Sequence, residues 1–298
     1  MTSPTKKKAS ALKGPPGTTT DDFIGGRVAV VQPRTGHRAG SDAVFLAAAV
    51  PGEAGERVLE AGTGAGVAGL CLLARVPGLE ITAVEIDPGL CALAQTNAAK
   101  NNFAERFTAI ETDVTAPAKT LRAAGLIRET YDHVIANPPF YAEGAVRAAP
   151  ERARALAHVM GRGDLAKWVR FLTTMAAARG RLTLIHRAEC LGELLALLDG
   201  RFGDVAVFPL FPAAGEPATR IIVQGRKGSR AGLRLLPGIV LHGPDGAYTA
   251  DAEAVLRGGA TLPLAAPQKK KGRRFGGRSG SPILPEREES SRAGKVGD

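Results

Sequence analysis

Asn137-Pro138-Pro139-Phe140, with Tyr141 following, are residue types from which an amine-activating site can be built. An exocyclic amine on a ring or a carbonyl is a poor nucleophile because its nitrogen lone pair is delocalised. Two acceptors on its hydrogens, here the Asn137 side-chain oxygen and the Pro138 carbonyl, favour a pyramidal nitrogen whose lone pair points at an electrophile. The two prolines stiffen the turn so that the acceptors hold position. Phe140 offers a flat face on which a planar base can stack once it leaves its neighbours. Tyr141 is a candidate substrate contact beside it. The plainer alternative is an ordinary Pro-Pro loop.

A second group lies upstream, in Glu60-Ala61-Gly62-Thr63-Gly64-Ala65-Gly66. Glycines let a backbone turn tightly and approach a ligand closely, and a helix that follows offers free N–H groups. A purely structural left-handed turn is the alternative. Glu85-Ile86-Asp87 comes about 20–25 residues later, a spacing that suits a carboxylate binding ribose hydroxyls. Glu111-Thr112-Asp113 supplies a third acidic site, where a carboxylate can reach an adenine amine. The glycines do not follow G-x-G-x-x-G, which argues against a plain dinucleotide site. No G-x-x-x-x-G-K-[ST] occurs, so triphosphate hydrolysis has no support.

The elements that must hold these groups are short apolar strands alternating with helical stretches, the pattern of a parallel α/β sheet. Strands are expected at 57–61, 80–86, 107–112, 131–136, 181–186, 205–210 and 220–223. Helices are expected at 67–75, 88–100, 116–127, 165–178 and 191–198, and a short strand pair precedes a helix-starting turn near residue 40. All three acidic segments then end strands on the carboxyl side of one sheet and border one crevice. The amine-activating turn ends the fourth strand of the series.

That ordering resembles the class I S-adenosylmethionine-dependent methyltransferases. The resemblance implies a Rossmann-like α/β fold, with a seven-stranded, mostly parallel sheet and helices on both faces. It also implies S-adenosylmethionine as cofactor: Gly62, Gly64 and Gly66 cradle its methionine part, Glu85 takes the ribose hydroxyls, Asp113 the adenine, and Glu60 orients the amino end. N-P-P-[FY] is the signature of amino-group methyltransferases acting on adenine N6, cytosine N4, guanine N2 or the glutamine amide. In them Asn137 and Pro138 face the amine, Asn137 also borders the cofactor, and cationic sulfur is a good enough leaving group that no general base is needed.

The flanks narrow the likeness. Gln32-Pro33, the segment from Gly36 to Ala43, LTLIHRAECLGELLALL at 182–198 and FPLFPAAGEPATRIIVQGRKGSR at 208–230 resemble the bacterial tRNA-Val (adenine-37) N6-methyltransferase family over about residues 19–264. This resemblance implies a tRNA partner, and Arg38, Gly40 and Asp42 covering the cofactor pocket. A helix-capping turn is the alternative for Arg38 and Asp42. A guanine-N2 rRNA methyltransferase, a protein glutamine-N5 methyltransferase and a non-catalytic cofactor-binding module remain as other readings. The last would have lost Asn137 or the glycines.

Charge suits a polyanionic partner where it lies on a folded surface, and ordinary solvated charge is the alternative for the tails and for single residues. The 298 residues carry a formal charge of +10. Residues 1–20 hold four Lys and no acid, and residues 267–298 hold nine basic and four acidic residues. Both have the composition of disordered basic tails, which leaves 21–266 as the methyltransferase domain. Within it, 21–144 holds 10 basic and 15 acidic residues, and 145–266 holds 16 basic and 10 acidic. Arg147, Arg152, Arg154, Arg162, Lys167 and Arg170 follow the amine-activating turn. Arg220, Arg226, Lys227, Arg230 and Arg234 form a second cluster that suits phosphates if it lines the same rim.

Other functions are excluded. Apolar runs such as Ala43–Val50 are too short to span a bilayer, which takes about 20 residues. No secretory h-region follows the N-terminal lysines, and the three cysteines show neither a disulfide framework nor metal spacing. A cytoplasmic enzyme with no metal and no membrane association is expected. The five histidines show no paired spacing, and Trp168 reads as core packing.

Overall fold

The computed structural model describes residues 17–36, 38–139 and 164–264. An N-terminal hairpin of β1 (Thr18–Phe23) and β2 (Val28–Pro33) is followed by α1 (Ser41–Ala49). Then come β3 (Arg57–Ala61), α2 (Val67–Arg75), β4 (Glu80–Glu85), α3 (Pro88–Lys100), β5 (Phe107–Glu111), α4 (Ala118–Ala123) and β6 (Tyr131–Ala136). After residue 164 the order is α5 (Asp164–Met175), β7 (Ala176–Arg187), α6 (Leu191–Leu198), β8 (Phe202–Ala213), β9 (Arg220–Lys227), β10 (Arg234–Leu235), β11 (Ile239–His242) and α7 (Ala250–Leu256).

The main sheet runs β10-β8-β9-β7-β6-β3-β4-β5, and β11 also pairs with β8. Only β9 runs against the others, pairing antiparallel with β7 and β8. The strands from β5 to β8 are the seven expected. Among the described residues the sheet nevertheless has nine, because β10 and β11 add to the outer edge of β8. At two and four residues these strands are too short for alternation to show in the sequence.

Helices cover both faces, so strand interiors are apolar on both sides. Val58 and Ile135 enter one core with α1, α2 and α3, while Leu59 and Val134 enter the other with α4, α5 and α6. Helix starts follow local chemistry. The Asp87 side chain accepts a hydrogen bond from the Leu90 N–H at 3.0 Å, and Pro88 fills the first turn of α3.

Several expected boundaries differ; the strands expected at 181–186, 205–210 and 220–223 extend to Ala176–Arg187, Phe202–Ala213 and Arg220–Lys227. The helix expected over 165–178 stops at Met175, because Ala176 pairs with Tyr131 and the chain becomes β7. Sheet pairing there overrides the helix propensity of three alanines. The helix expected over 116–127 shrinks to 118–123, and Gly125 at φ 89° turns the chain just after it. β1 begins at Thr18, inside the segment whose composition suggested a tail, since Thr18 to Phe23 pair with Pro33 to Val28.

Candidate active site

The chain leaves β3 toward β4 and β5 on one side, then returns to place β6 on the other. A crevice opens at such a switch point, beyond the carboxyl ends of the strands. Ala61 of β3 lies opposite Ala136 of β6. Gly62 and Asn137, each the next residue, therefore start neighbouring turns about 5 Å apart, one strand spacing. Two motifs separated by 75 positions become one site.

The glycine turn is fastened from below. Gly62 and Thr63 N–H groups donate to the Val84 carbonyl at 2.8 and 3.0 Å, and the Gly64 N–H donates to Glu85 Oε2 at 2.8 Å. Gly62, Gly64 and Gly66 all have positive φ. At Gly62 sterics decide as well, because an added Cβ would lie 2.5 Å from Cη2 of Trp168, reaching over from α5. Trp168 is core packing, as its helical spacing indicated, and the surface it packs against is the turn itself.

The expected site residues on the strand ends and in the Asn-Pro-Pro turn, as far as Pro139, have definite places. Glu85 is buried at the end of β4, where Oε1 accepts from the Ile86 and Asp87 N–H groups, both at 3.0 Å. Glu60 lies beneath the turn, accepting from the Gly69 N–H at 3.0 Å, and burial pushes its carboxyl up to about 7. Asp113 holds Thr115, accepting from its N–H at 2.7 Å and its hydroxyl at 2.9 Å. Asn137 differs from all three: its Oδ1 is buried and has no hydrogen-bond partner. Pro138 is buried beside it. Phe140 and Tyr141 lie outside the described residues, as do Arg147, Arg152, Arg154, Arg162 and the tails.

The segment expected to cover the pocket is held from the hairpin side. Arg38 donates to Thr19 Oγ1 at 2.8 Å and to the Pro33 carbonyl at 2.6 Å, and pairs with Asp21 at 2.6 Å. Gly40 precedes α1 without a side-chain cap, and Asp42 pairs with Arg220 at 2.9 Å. Neither Arg38 nor Asp42 caps the helix.

The second basic cluster is not one rim. Arg220 pairs in register with Arg187 at the crevice end of β9. Arg226 lies six residues along, opposite Arg181, roughly 20 Å away at the other end of the sheet. Lys227 pairs with Glu129 at 3.0 Å and Arg234 with Asp204 at 3.4 Å. A run of like charges in sequence is split here by the length of a strand. Lys167 and Arg170 are exposed on α5.

Residues that the motifs did not reveal also border the site. Ile86 is 41% exposed immediately after Glu85, an apolar residue between two acids that marks the crevice edge. Asn97, fully buried in α3, donates to the Ala65 carbonyl inside the glycine turn at 3.0 Å. A cavity of about 780 Å³ lies elsewhere, between α4 and the end of α5. Its described lining is apolar apart from Lys119, Arg122, Arg128 and Thr174 and holds no carboxylate. Among the described residues no helix is long and apolar enough to cross a membrane, and no three His, Cys, Asp or Glu converge as a metal site.

The donor set fits S-adenosylmethionine. A carboxylate offers about four lone-pair sites. Glu85 spends three on backbone N–H groups and Asp113 two on Thr115, leaving acceptors for hydroxyl and amine hydrogens. Ile86 gives an apolar face, and the turn before α2 gives close backbone approach.

Comparison with known proteins agrees. Residues 38–158 match the family described as "Methyltransferase small domain". A tRNA1(Val) (adenine(37)-N6)-methyltransferase of Aeromonas hydrophila is 30% identical over 219 residues, 72% of this chain and 87% of that protein. The protein of the same name from Salmonella typhimurium is 34% identical over 129 residues, which span 49% of its length. The crystal structure of a predicted O-methyltransferase from Agrobacterium tumefaciens superposes with a TM-score of 0.63 and 29% identity, covering 74% of this chain and 98% of that one. The glycine turn, the acidic strand ends and the Asn-Pro-Pro turn thus sit in a chain that belongs to the tRNA1(Val) (adenine(37)-N6)-methyltransferase family of class I S-adenosylmethionine-dependent methyltransferases, with S-adenosylmethionine as its cofactor.

Proposed function

We propose that the protein methylates the exocyclic N6 amine of an adenine in tRNA, as the names of its curated relatives suggest, at position 37 of the tRNA-Val anticodon loop. The observation that carries the amine is Asn137 Oδ1, a buried acceptor left without a partner one strand from the glycine turn. A hydroxyl acceptor would need a base to remove its proton, whereas a planar amine needs acceptors that pyramidalise it. Asn137 Oδ1 and the Pro138 carbonyl suit the second task, which favours nitrogen over the oxygen named in the Agrobacterium structure.

When bound, S-adenosylmethionine supplies a methyl group on a cationic sulfur. Gly62, Gly64 and Gly66 seat its methionine part in this reading, Glu85 accepts from the ribose hydroxyls, and Asp113 from the adenine amine. Ile86 covers the ring, and Glu60 supports the turn from beneath. Asn137 and Pro138 draw the two amine hydrogens of the substrate aside so that the nitrogen lone pair faces the methyl. Phe140 stacks on the target base, Tyr141 contacts the substrate, and Arg38, Gly40 and Asp42 close the N-terminal side. Residues 21–266 form the catalytic domain. The basic segments 1–20 and 267–298 attract RNA phosphates without sequence preference, a pull that salt weakens. Such an enzyme works in the cytoplasm, where tRNA is found.

The test is to incubate the protein with bulk tRNA, rRNA and release-factor protein and with labelled S-adenosylmethionine, then analyse nucleosides and peptides by mass spectrometry. N6-methyladenosine in tRNA is expected. N2-methylguanosine in rRNA or a methylated glutamine would replace the adenine assignment.

A further inference from the structure

Three amide side chains on or beside α3 bond to neighbouring backbone as another strand would. Gln95 accepts from the Ala109 N–H at 2.9 Å and donates to the Phe107 carbonyl at 3.2 Å, covering the open edge of β5. Asn101, which closes α3, accepts from the Ala29 N–H at 2.9 Å and donates to the Ala29 carbonyl at 2.8 Å. One turn back, Asn97 accepts from the Val31 N–H at 3.0 Å and donates to the Val31 carbonyl at 2.9 Å. Ala29 and Val31 alternate along β2, so this spacing of four on a helix meets a spacing of two on a strand. The two asparagines stand where a third strand of the hairpin would be.

Their remaining amide hydrogens part company. That of Asn101 closes onto the Asn97 carbonyl at 2.8 Å, within its own helix end. That of Asn97 reaches the Ala65 carbonyl at 3.0 Å, inside the glycine turn. Asn97 is fully buried, so neither donor can turn to water for a replacement. The path continues beyond β2. Gln32, also buried, accepts from the Ala39 N–H at 2.9 Å and donates to the Ala39 carbonyl at 3.2 Å and to Asp21 at 2.8 Å. Ala39 lies between Arg38 and Gly40. One planar amide thus joins the glycine turn to a strand whose next residue holds the 38–40 segment.

We propose that Asn97 is a positioning residue that couples occupation of the glycine turn to the seating of β2 and residues 38–40, a role that rests on the turn being the cofactor site. When the turn settles around a ligand, the Ala65 carbonyl moves with it. The amide plane of Asn97 must follow to keep its bond, and it carries the Val31 N–H and carbonyl along. Asn101 bonds the same strand but not the turn, which makes it an internal control.

Hydrogen exchange of the full chain with and without saturating S-adenosylmethionine tests this, alongside calorimetric binding to two variants. In the wild type the cofactor should slow exchange at 62–69 and, at least fivefold, at 28–33 and 38–40. Asn97→Asp keeps the acceptor for Val31 but sets carboxylate oxygen against two carbonyls. It should raise the cofactor Kd about tenfold and confine protection to 62–69. Asn101→Asp should lower the melting temperature while keeping Kd within twofold and the spread of protection intact. Equal losses of affinity in the two variants would reduce Asn97 to a hairpin anchor and overturn the coupling. So would wild-type protection at 62–69 with none at 28–40, a result available even if Asn97→Asp fails to fold. Protection at neither place would overturn the cofactor reading of the turn and the coupling with it.

Discussion

The two sides of the crevice treat their carboxylate and amide side chains in opposite ways. On the β3–β4–β5 side, Glu60, Glu85 and Asp113 are already bonded to N–H or hydroxyl groups of the chain. On the β6 side, Asn137 Oδ1 is buried with no partner. A buried unsatisfied acceptor costs about 1–3 kcal/mol. In the proposed reaction, the amide oxygen that the fold leaves open beside three satisfied carboxylates is the acceptor for the incoming amine. The contrast separates shaping a pocket, which is complete before any ligand arrives, from making a nucleophile, which needs the substrate's hydrogens. Pre-formed acceptors aimed at the reacting group are an effective catalytic device because they need no reorganisation at the moment of reaction.

The comparison breaks most sharply at Asn137. Asn137→Ala should lower kcat by about 10²–10³-fold, the scale seen on removing one preorganised hydrogen-bonding group. The cofactor Kd should stay within about twofold, as the pocket loses no contact of its own. Equal losses in both would mean that the two sides are not separate.

The next largest effect concerns pH. Burial raises the Glu60 carboxyl from 4.5 to about 7. The folded state therefore holds that proton more tightly than the unfolded chain. Its contribution to stability is full below pH 4.5 and is lost as pH rises through 7, up to roughly 3 kcal/mol in all. His186 works the other way, since burial lowers it from 6.5 to about 4, and its contribution is lost as pH falls through that window. Thermal unfolding of Glu60→Gln beside the wild type isolates the first group: the variant should gain on the wild type between pH 5 and 7.5. A constant difference would place Glu60 in a wetter setting than the fold gives it.

Gly62→Ala tests whether the pocket side is as tightly built as its bonds suggest. A Cβ at 2.5 Å from Trp168, on a backbone at φ 67°, should cost about 2 kcal/mol in stability. Trp168→Leu should recover part of that loss in the double variant, as measured by denaturant unfolding. No recovery would assign the whole cost to backbone strain. The smallest effect is expected for Glu85→Gln, which replaces one acceptor oxygen by an amide donor facing backbone N–H groups. The cofactor Kd should rise about tenfold by calorimetry, with kcat at saturation changed by less than about threefold. A large fall in kcat would move Glu85 across to the amine side of the comparison.

How far the molecule was legible depended on whether a signal was local. The spans of β3, α2, α3, β6 and α6 follow from apolar periodicity and from caps such as Asp87-Pro88, which are properties of a few adjacent residues. Elements decided by distant pairing were less visible. Ala176–Ala178 read as helix until Tyr131 is placed beside them, and β10 and β11 exist because β8 offers an unpaired edge. The same holds in the site. Glycines and acidic strand ends announce themselves by spacing, whereas Ile86, Trp168 and Asn97 are ordinary residue types until the chain brings them to the turn. The basic run at 220–234 misled for the same reason, because proximity along a strand is not proximity across a sheet.

By itself the sequence determined the α/β class, the order of the elements from β3 to β9 and the chemical kinds present: a glycine turn, acidic strand ends and a rigid Asn-Pro-Pro turn. These are fixed by short-range sterics and hydrophobic period, which act within a few residues. Only the tertiary structure decided that Ala61 lies against Ala136, that Glu85 and Asp113 spend part of their acceptor capacity on the chain while Asn137 spends none, and that one buried asparagine joins the turn to the hairpin. Hydrogen bonds and burial are relations between groups distant in sequence, and they come into being only when the sheet closes.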